Sequence, residues 1–283
     1  MAVYSHSRIS SFENCPLQYR YRYIDQIKRD VDGVEALVGK VVHEVLQALY
    51  SDLARARAAG AHEFVGMFNR LWRAKVGPTV RIVRENMTLE DYRILGERCI
   101  RSFYDGQHPF EGGEVVGCET RVEFGLDPEG RFRILGFIDR IDRVAPGVYE
   151  IHDYKTGVLP RAGALKADRQ LSLYEIAVRE QFEGVREVRH VWHYLAHGKE
   201  FDQRRTPEEL GRIRLSTIRA IQNIEATAEF PARASALCSW CEYQEICPEW
   251  AGKPTASRKA LPDAPACDAR SGQYLLFGGR PGR

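Results

Sequence analysis

Apolar residues recur every three to four positions through much of the first hundred residues, which is the spacing of amphipathic helices. The spacing predicts four helices, at 7–24 with a break near Pro16, at 35–58, at 62–75 and from 88 to about Tyr104. Thr88 and Asp91 resemble a capping box at the start of the last of these helices, with Asp91 in the place of the usual Glu.

After Pro109 the pattern changes to short apolar runs separated by turns, which is typical of strands. Three strands are predicted in VVGCETRVEFGL, FRILGFIDRIDRV and VYEIHDYKTG, joined by DPEG and APG. A helix over about 166–182, strands at 188–196 and 199–205, and a helix with Pro207 in its first turn follow. This order of elements predicts an α/β core with an N-terminal helical elaboration.

The composition of the 283 residues, 44% hydrophobic and 28% charged, is that of a soluble globular protein. The net charge of +2 argues neither for nor against nucleic acid, because local patches matter more than the sum. No apolar run approaches the ~18 residues that span a bilayer, and the start lacks a signal-peptide pattern, so we expect a cytoplasmic protein without membrane contact. The composition shifts at Lys253 and predicts one domain over 1–252 and a disordered tail over 253–283.

Asp153 and Lys155 lie two positions apart on a predicted strand, so their side chains should share a face. Asp139 lies on the preceding strand and can approach Asp153 if the two strands pair. Two close carboxylates raise each other's pKa, and a divalent cation removes that penalty. Carboxylate oxygens suit Mg²⁺ or Mn²⁺. The alternative is a set of ordinary ion pairs, with Lys155 or with neighbouring arginines, which contribute little.

Two further positions bear on this hypothesis. His43 lies on a predicted helix among apolar neighbours, where a histidine is more often part of the core than a metal ligand. Gln170 and Tyr174 are four apart on another predicted helix and so share a face. An amide beside a phenol can bind a phosphate backbone or a base, although this spacing alone is weak.

The segments GKVVHEVL, GFIDRID, DYKTG and QLSLY, in this order, resemble the RecB-type branch of the PD-(D/E)xK nuclease superfamily. This branch includes the nuclease domains of the AddA and AddB helicase–nucleases and the CRISPR adaptation exonucleases. The resemblance implies a restriction-endonuclease-like core, in which a mixed central sheet is flanked by helices. It also implies roles for seven residues: His43, Asp139, Asp153 and the backbone carbonyl of Tyr154 as metal ligands, Asp139, Asp153 and Lys155 as catalytic residues, and Gln170 and Tyr174 along the DNA.

Seven cysteines in a reducing compartment indicate buried thiols or metal ligands rather than disulfides. Cys238, Cys241 and Cys247 form a C-x2-C-x5-C chelate that lacks a fourth ligand, for which Cys15 is a candidate. The family resemblance implies a [4Fe–4S] cluster on Cys15, Cys238, Cys241 and Cys247, in a C-terminal Fe–S region that joins the two ends of the domain. A structural zinc is the alternative. Cys99 and Cys118 are predicted to be buried thiols, and Cys267 has no evident role.

Alternating tyrosines and arginines near Cys15 suggest DNA contacts by Tyr19, Arg20 and Arg22, because arginine meets phosphates and tyrosine stacks on unpaired bases. The alternative is a helix at the boundary of the core. The resemblance implies single-stranded DNA or DNA ends as substrate. We therefore predict a metal-dependent DNA exonuclease in repair, recombination or CRISPR adaptation. The alternative is a DNA-binding scaffold subunit with a helicase partner, since the chain has no Walker A pattern.

The tail contains an apolar island, QYLLF at 273–277, in a segment too polar to pack a core. These residues resemble the bacterial sliding-clamp binding pentapeptide, with Gln273 at the pocket rim and Leu276 and Phe277 in the pocket. Tyr274 departs from that pattern, which usually has Leu there. The alternative is that the island folds back on its own domain.

Overall fold

A computed structural model describes residues 2–29, 31–54 and 60–250 of the chain. The predicted tail, with Cys267 and the clamp-binding residues Gln273, Leu276 and Phe277, lies outside these residues. Within the described ranges, no helix combines the length and the apolar character that crossing a membrane requires.

The N-terminal elements are β1 (Val3–Tyr4), α1 (His6–Asn14), α2 (Pro16–Tyr19) and a π-helical turn at Arg20–Ile24. Helix α1 begins after Ser5, whose hydroxyl accepts a hydrogen bond from the Arg8 amide at 3.0 Å. Pro16 lacks a backbone donor and starts a new helix at its first position. The predicted break near Pro16 is confirmed.

The helical elaboration consists of β2 (Asp32–Gly33), α3 (Val34–Ala54), α4 (Ala61–Lys75), β3 (Val80–Arg81) and α5 (Leu89–Gln107). The predicted capping box is confirmed: the Asp91 amide donates to the Thr88 hydroxyl, and the Thr88 amide donates to the Asp91 carboxylate. Helices α4 and α5 cross closely, since a side chain at Gly96 would collide with the ring of Phe68. The three helices therefore form one packed layer.

The central sheet contains β4 (Glu114–Gly125), β5 (Arg133–Ala145), β6 (Val148–Lys155), β7 (Glu187–Tyr194) and β8 (Lys199–Arg204). Strands β4, β5 and β6 form an antiparallel meander, β6 and β7 are parallel, and β7 and β8 are antiparallel. Strand β1 pairs in parallel with the start of β5. The sheet is mixed, as predicted.

Helices cover both faces of the sheet. A crossover through α6 (Gln170–Gln181) connects the parallel strands β6 and β7, and α7 (Pro207–Ala226) packs on the same side. The opposite face carries α3, α4 and α5, with Tyr154 of β6 in their core. Each fully buried Leu or Ile in these two cores stabilises the fold by about 1.5–3 kcal/mol. Strand β6 is buried on both faces, which makes it a rigid base for the side chains near its end.

Candidate active site

Two carboxylates and an amine meet where β5 and β6 run side by side. Arg140 pairs with His152, and the same register places Asp139 opposite Asp153. The Asp139 carboxylate accepts the backbone amide of Tyr154 at 2.8 Å. Lys155 shares the face of Asp153, as the strand period predicts, with its Nζ 2.8 Å from the Asp153 carboxylate.

Helix α3 brings His43 to this pair of strands. Its Nε2 lies 2.8 Å from the backbone carbonyl oxygen of Tyr154, to which it donates. Its Nδ1 lies 3.6 Å from an Asp139 oxygen and 3.7 Å from a Glu119 oxygen. His43 is therefore a member of the cluster rather than a residue of the apolar core.

Glu119 is a member of the site that the sequence analysis missed. It lies on β4 between Cys118, which pairs with Arg140, and Thr120, which pairs with Ile138, so it stands opposite Asp139. Its backbone has a φ of 47°, the left-handed region that non-glycine residues rarely adopt. One atom each of His43, Glu119 and Asp139 lies within 4.8 Å of the other two. The only signal in the sequence was an acid in the strand before GFIDRID.

The electrostatics of the cluster are those of a cation site. Burial raises the pKa of Asp139 to about 7, with His43 lowering it and Asp153 raising it. Burial lowers the pKa of His43, but the hydrogen bond to Glu119 and the charge of Asp139 outweigh this and raise it to about 9. Burial also lowers the pKa of Lys155, and the Asp153 carboxylate more than compensates. Crowded carboxylates beside an imidazole fit a divalent cation such as Mg²⁺ or Mn²⁺.

Helix α6 places Gln170 and Tyr174 beside the same strands. The Gln170 side-chain oxygen lies 3.4 Å from Lys155 Nζ. The ring of Tyr174 is buried beneath β5, where a side chain at Gly136 would come within 2.4 Å of it. Gln170 contacts the Lys155 ammonium directly, and Tyr174 is hydrogen-bonded to Gln170, close to Asp139 and Asp153, and packs against the strand that carries Asp139.

Tyr19, which was predicted to contact DNA, lies in the core and not on the surface. Tyr19 is only 2% exposed, and its ring stacks on Phe230. Its hydroxyl accepts hydrogen bonds from Arg8. A ring buried in this way cannot stack on a base in the conformation described, and it is covered by Phe12 and Tyr23, which are close in sequence, as well as by Phe230.

The two arginines of the same segment are on the surface and are engaged in ion pairs. Arg20 pairs with Asp25 at 3.2 Å, and Arg22 pairs with Glu242. Arg22 lines an open groove together with Lys28, Arg29 and Trp240. The structure therefore leaves Arg22 next to further basic and aromatic side chains.

One cavity of about 50 Å³ is lined by the four predicted cluster cysteines, Cys15, Cys238, Cys241 and Cys247. Backbone amides face two of the sulfurs: Arg233 donates to Cys15 Sγ at 3.4 Å and Ser235 to Cys238 Sγ at 3.3 Å. The structure thus brings both ends of the described chain to one set of thiols.

The other two described cysteines lie away from this cavity. Cys99 is fully buried in α5, and burial raises the pKa of its thiol to about 12. Cys118 on β4 is half-buried, and burial raises its pKa to about 11. The prediction of a buried thiol is confirmed for Cys99, while Cys118 is only partly covered.

Replacing Glu119 by Gln is expected to weaken Mn²⁺ binding by about tenfold or more, since even groups that only orient ligands contribute 10–100-fold. The change removes one negative charge and keeps the shape of the side chain. Titration calorimetry of the DNA-free protein with Mn²⁺ measures it. Glu123→Gln, on the same strand, is the matched control and should bind as the wild type does. Unchanged affinity in Glu119→Gln would remove this residue from the site.

The affinity for Mn²⁺ is expected to rise with pH between about 6.5 and 9, because a ligating imidazole must be neutral. The pKa of His43 is raised to about 9, so its protonated form stabilises the metal-free fold fully below pH 6.5 and loses that effect as pH rises through 9. The melting temperature of the metal-free protein should therefore fall as the pH rises over this range. His43→Ala should reduce the pH dependence of the Mn²⁺ affinity, whereas replacing the exposed His62 by Ala should not. A pH-independent affinity would contradict the role of His43.

Comparison with known proteins gives a family match across the chain. The sequence model of the PD-(D/E)XK nuclease superfamily matches residues 3–248. No curated protein matches the chain.

Two solved structures resemble the fold. A crystal structure from Eubacterium rectale, named "Putative exonuclease", has a TM-score of 0.50 at 14% identity over 94% of this chain and 91% of that one. At this identity the likeness shows the fold alone. The structure of SSO0001 has a TM-score of 0.39 at 14% identity over 85% of this chain and 84% of that one, which is too low to argue from.

Proposed function

The chain belongs to the PD-(D/E)xK nuclease superfamily, and on that premise we propose that it is a metal-dependent DNA exonuclease acting on single strands or DNA ends. The observation that carries the proposal is the meeting of acids from three adjacent strands with His43 and Lys155. Glu119 of β4 and Asp139 of β5 lie with His43 in one cluster, and Asp153 of β6 stands opposite Asp139. Ion pairs on an ordinary surface do not account for this arrangement.

The residues suited to hold the cation are His43, Glu119, Asp139 and Asp153, with the Tyr154 carbonyl oxygen nearby. When bound, Mg²⁺ or Mn²⁺ supplies a Lewis acid for the phosphodiester and lowers the pKa of a bound water. Lys155 has a raised pKa and is therefore charged at neutral pH. We assign it to stabilising the negative charge that develops on the phosphate. Gln170, at 3.4 Å, orients the Lys155 ammonium.

The cysteine cavity supports a [4Fe–4S] cluster more than a zinc ion. Zinc–sulfur bonds of about 2.3 Å in a tetrahedron place the sulfurs about 3.8 Å apart. Among the described residues, no three cysteine sulfurs lie within 4.8 Å of one another. Four thiols that line one cavity, with sulfurs spaced more widely than zinc ligation requires, suit a larger group held by Cys₄ ligation.

The test of the function is digestion of DNA labelled at either the 5′ or the 3′ end. Single strands and blunt duplexes are incubated with Mg²⁺, Mn²⁺ or EDTA. We expect metal-dependent release of short products, faster from single strands, and no cleavage in EDTA. DNA binding without cleavage in either metal would overturn the proposal and support the scaffold alternative.

Pathway and partners stay predictions. A role in repair, recombination or CRISPR adaptation rests on the family resemblance, as does a helicase partner. The clamp-binding residues Gln273, Leu276 and Phe277 belong to a segment outside the described residues.

A further inference from the structure

We propose that Phe137 is a stacking platform for an unpaired nucleobase, and that it makes the site selective for single-stranded nucleic acid. The inference rests on the proposed function and specifies which form of the substrate the site accepts. It assigns the base contact to β5, in place of the Tyr19 contact that burial excludes.

Phe137 lies in the cleft that contains the cation cluster. Its side chain is 51% exposed, although both of its neighbours on β5, Gly136 and Ile138, are buried. It lines an open cleft of about 650 Å³ together with His43 and Glu119. Because its neighbours fix the strand, the ring is held in the cleft and not on a mobile loop.

The ring of Phe137 has no ring partner among the residues that the structure describes. Single exposed apolar side chains are common on protein surfaces, so it is the place of this ring, in the cleft beside His43 and Glu119, that points to a ligand. The face of a nucleobase suits a phenyl ring, and base–aromatic stacking tolerates any sequence because every base has a π-face.

Two cations flank the ring and suit the phosphates on either side of a stacked base. Lys40 is exposed in the same cleft, one turn of α3 before His43. No carboxylate in the described part of the chain forms an ion pair with it. Arg121 is the direct cross-strand neighbour of Phe137 on β4; it is exposed and forms an ion pair with Glu123 at 2.6 Å, which a phosphate would have to displace. An aromatic ring between basic side chains is the arrangement that binds single strands.

The same contact discriminates against duplex DNA. Inside a duplex both faces of each base are covered by neighbouring bases, so the ring can stack only on a base that is unpaired or flipped out. Flipping a base out of a duplex costs free energy that binding has to offset, whereas the bases of a single strand are already accessible. Phe137 should therefore favour single strands without reading their sequence.

The binding experiment uses a single-stranded oligonucleotide carrying 2-aminopurine near its end, with Ca²⁺ in place of Mg²⁺. We expect Phe137→Ala to weaken binding of the single strand about tenfold, the order seen when stacking aromatics are removed, and to reduce quenching of the base. Binding of a blunt duplex should change less than twofold. Phe137→Trp should restore binding and quenching. Leu215→Ala, which removes an equally exposed apolar side chain from α7, is the control.

Lys40→Ala should lower the slope of log affinity against log salt by about 0.7, the value for one phosphate contact on a single strand. In cleavage assays with Mg²⁺, Phe137→Ala should raise KM for single strands about tenfold with little change in kcat. Wild-type binding and quenching in Phe137→Ala would overturn the platform while leaving the nuclease proposal intact. A wild-type protein that binds through Phe137 but never cleaves would overturn the nuclease proposal and leave the platform standing.

Discussion

Lys155→Ala is expected to reduce DNA cleavage by at least about 10²–10³-fold, the effect of removing one preorganised group that stabilises transition-state charge. The ammonium is held by Asp153 at 2.8 Å and by Gln170 at 3.4 Å, so it is already in position before substrate binds. The raised pKa keeps the Lys155 ammonium charged at neutral pH. A water molecule that replaced it in the variant would be neutral. The loss should appear in kcat, with DNA affinity in Ca²⁺ changed only slightly.

Asp139→Ala and Asp153→Ala should abolish cleavage by a different route, the loss of Mn²⁺ binding. Calorimetry therefore separates these variants from Lys155→Ala, which should still bind the cation. Lys199→Ala and Asp202→Ala, both on the exposed part of β8, are the matched controls. Full activity in Asp153→Ala would refute the assignment of the site.

Cys15→Ser is expected to remove the brown colour of protein purified without oxygen and to destabilise the fold. The segment that carries the other three cysteines consists of short 3₁₀ turns at Ala236–Trp240, Gln244–Ile246 and Pro248–Trp250. Such turns stabilise little by themselves, so metal binding and local folding should be coupled. By comparison with the loss of a native cross-link, we expect the free energy of unfolding to fall by about 3 kcal/mol. This corresponds to a melting temperature about 6–12 °C lower.

Iron and sulfide analysis with visible absorption measures the first effect, and calorimetric melting measures the second. Cys118→Ser is the matched control, since Cys118 lies on β4 away from the cavity, and it should keep both colour and stability. Colourless protein with stoichiometric zinc would replace the cluster with the zinc alternative. Unchanged iron content in Cys15→Ser would exclude Cys15 as a ligand.

Local patterns were sufficient to predict the elements that are long and periodic. Helix α5 with its cap at Thr88, and the shared face of Asp153 and Lys155, follow from neighbours a few residues apart. Strands β1, β2 and β3 were not predicted, because two residues carry no periodic signal.

Residues whose position depends on distant parts of the chain escaped the sequence analysis. Glu119 joins the site through the register of β4 on β5, a bulge between Val115 and Gly117, and a left-handed backbone. None of these three features can be inferred from the residues that neighbour Glu119 in the sequence. Tyr19 packs against Phe12, Tyr23 and the distant Phe230 in the core, and the alternation of Tyr and Arg does not reveal which of these side chains is buried.

The cavity shared by Cys15 and the C-terminal cysteines also has a consequence for the order of biosynthesis. At translation rates of about 5–20 residues per second, Cys15 is made roughly 10–45 seconds before the thiols that face it. The meander of β4, β5 and β6 pairs strands that are neighbours in sequence, so it can form in that interval. Bringing Cys15 to the C-terminal cysteines closes a much longer loop, which is entropically costly and can occur only after those cysteines are made. The strands that carry the candidate site should therefore form before the ends of the domain are joined, and insertion of the proposed cluster should be the last step of maturation.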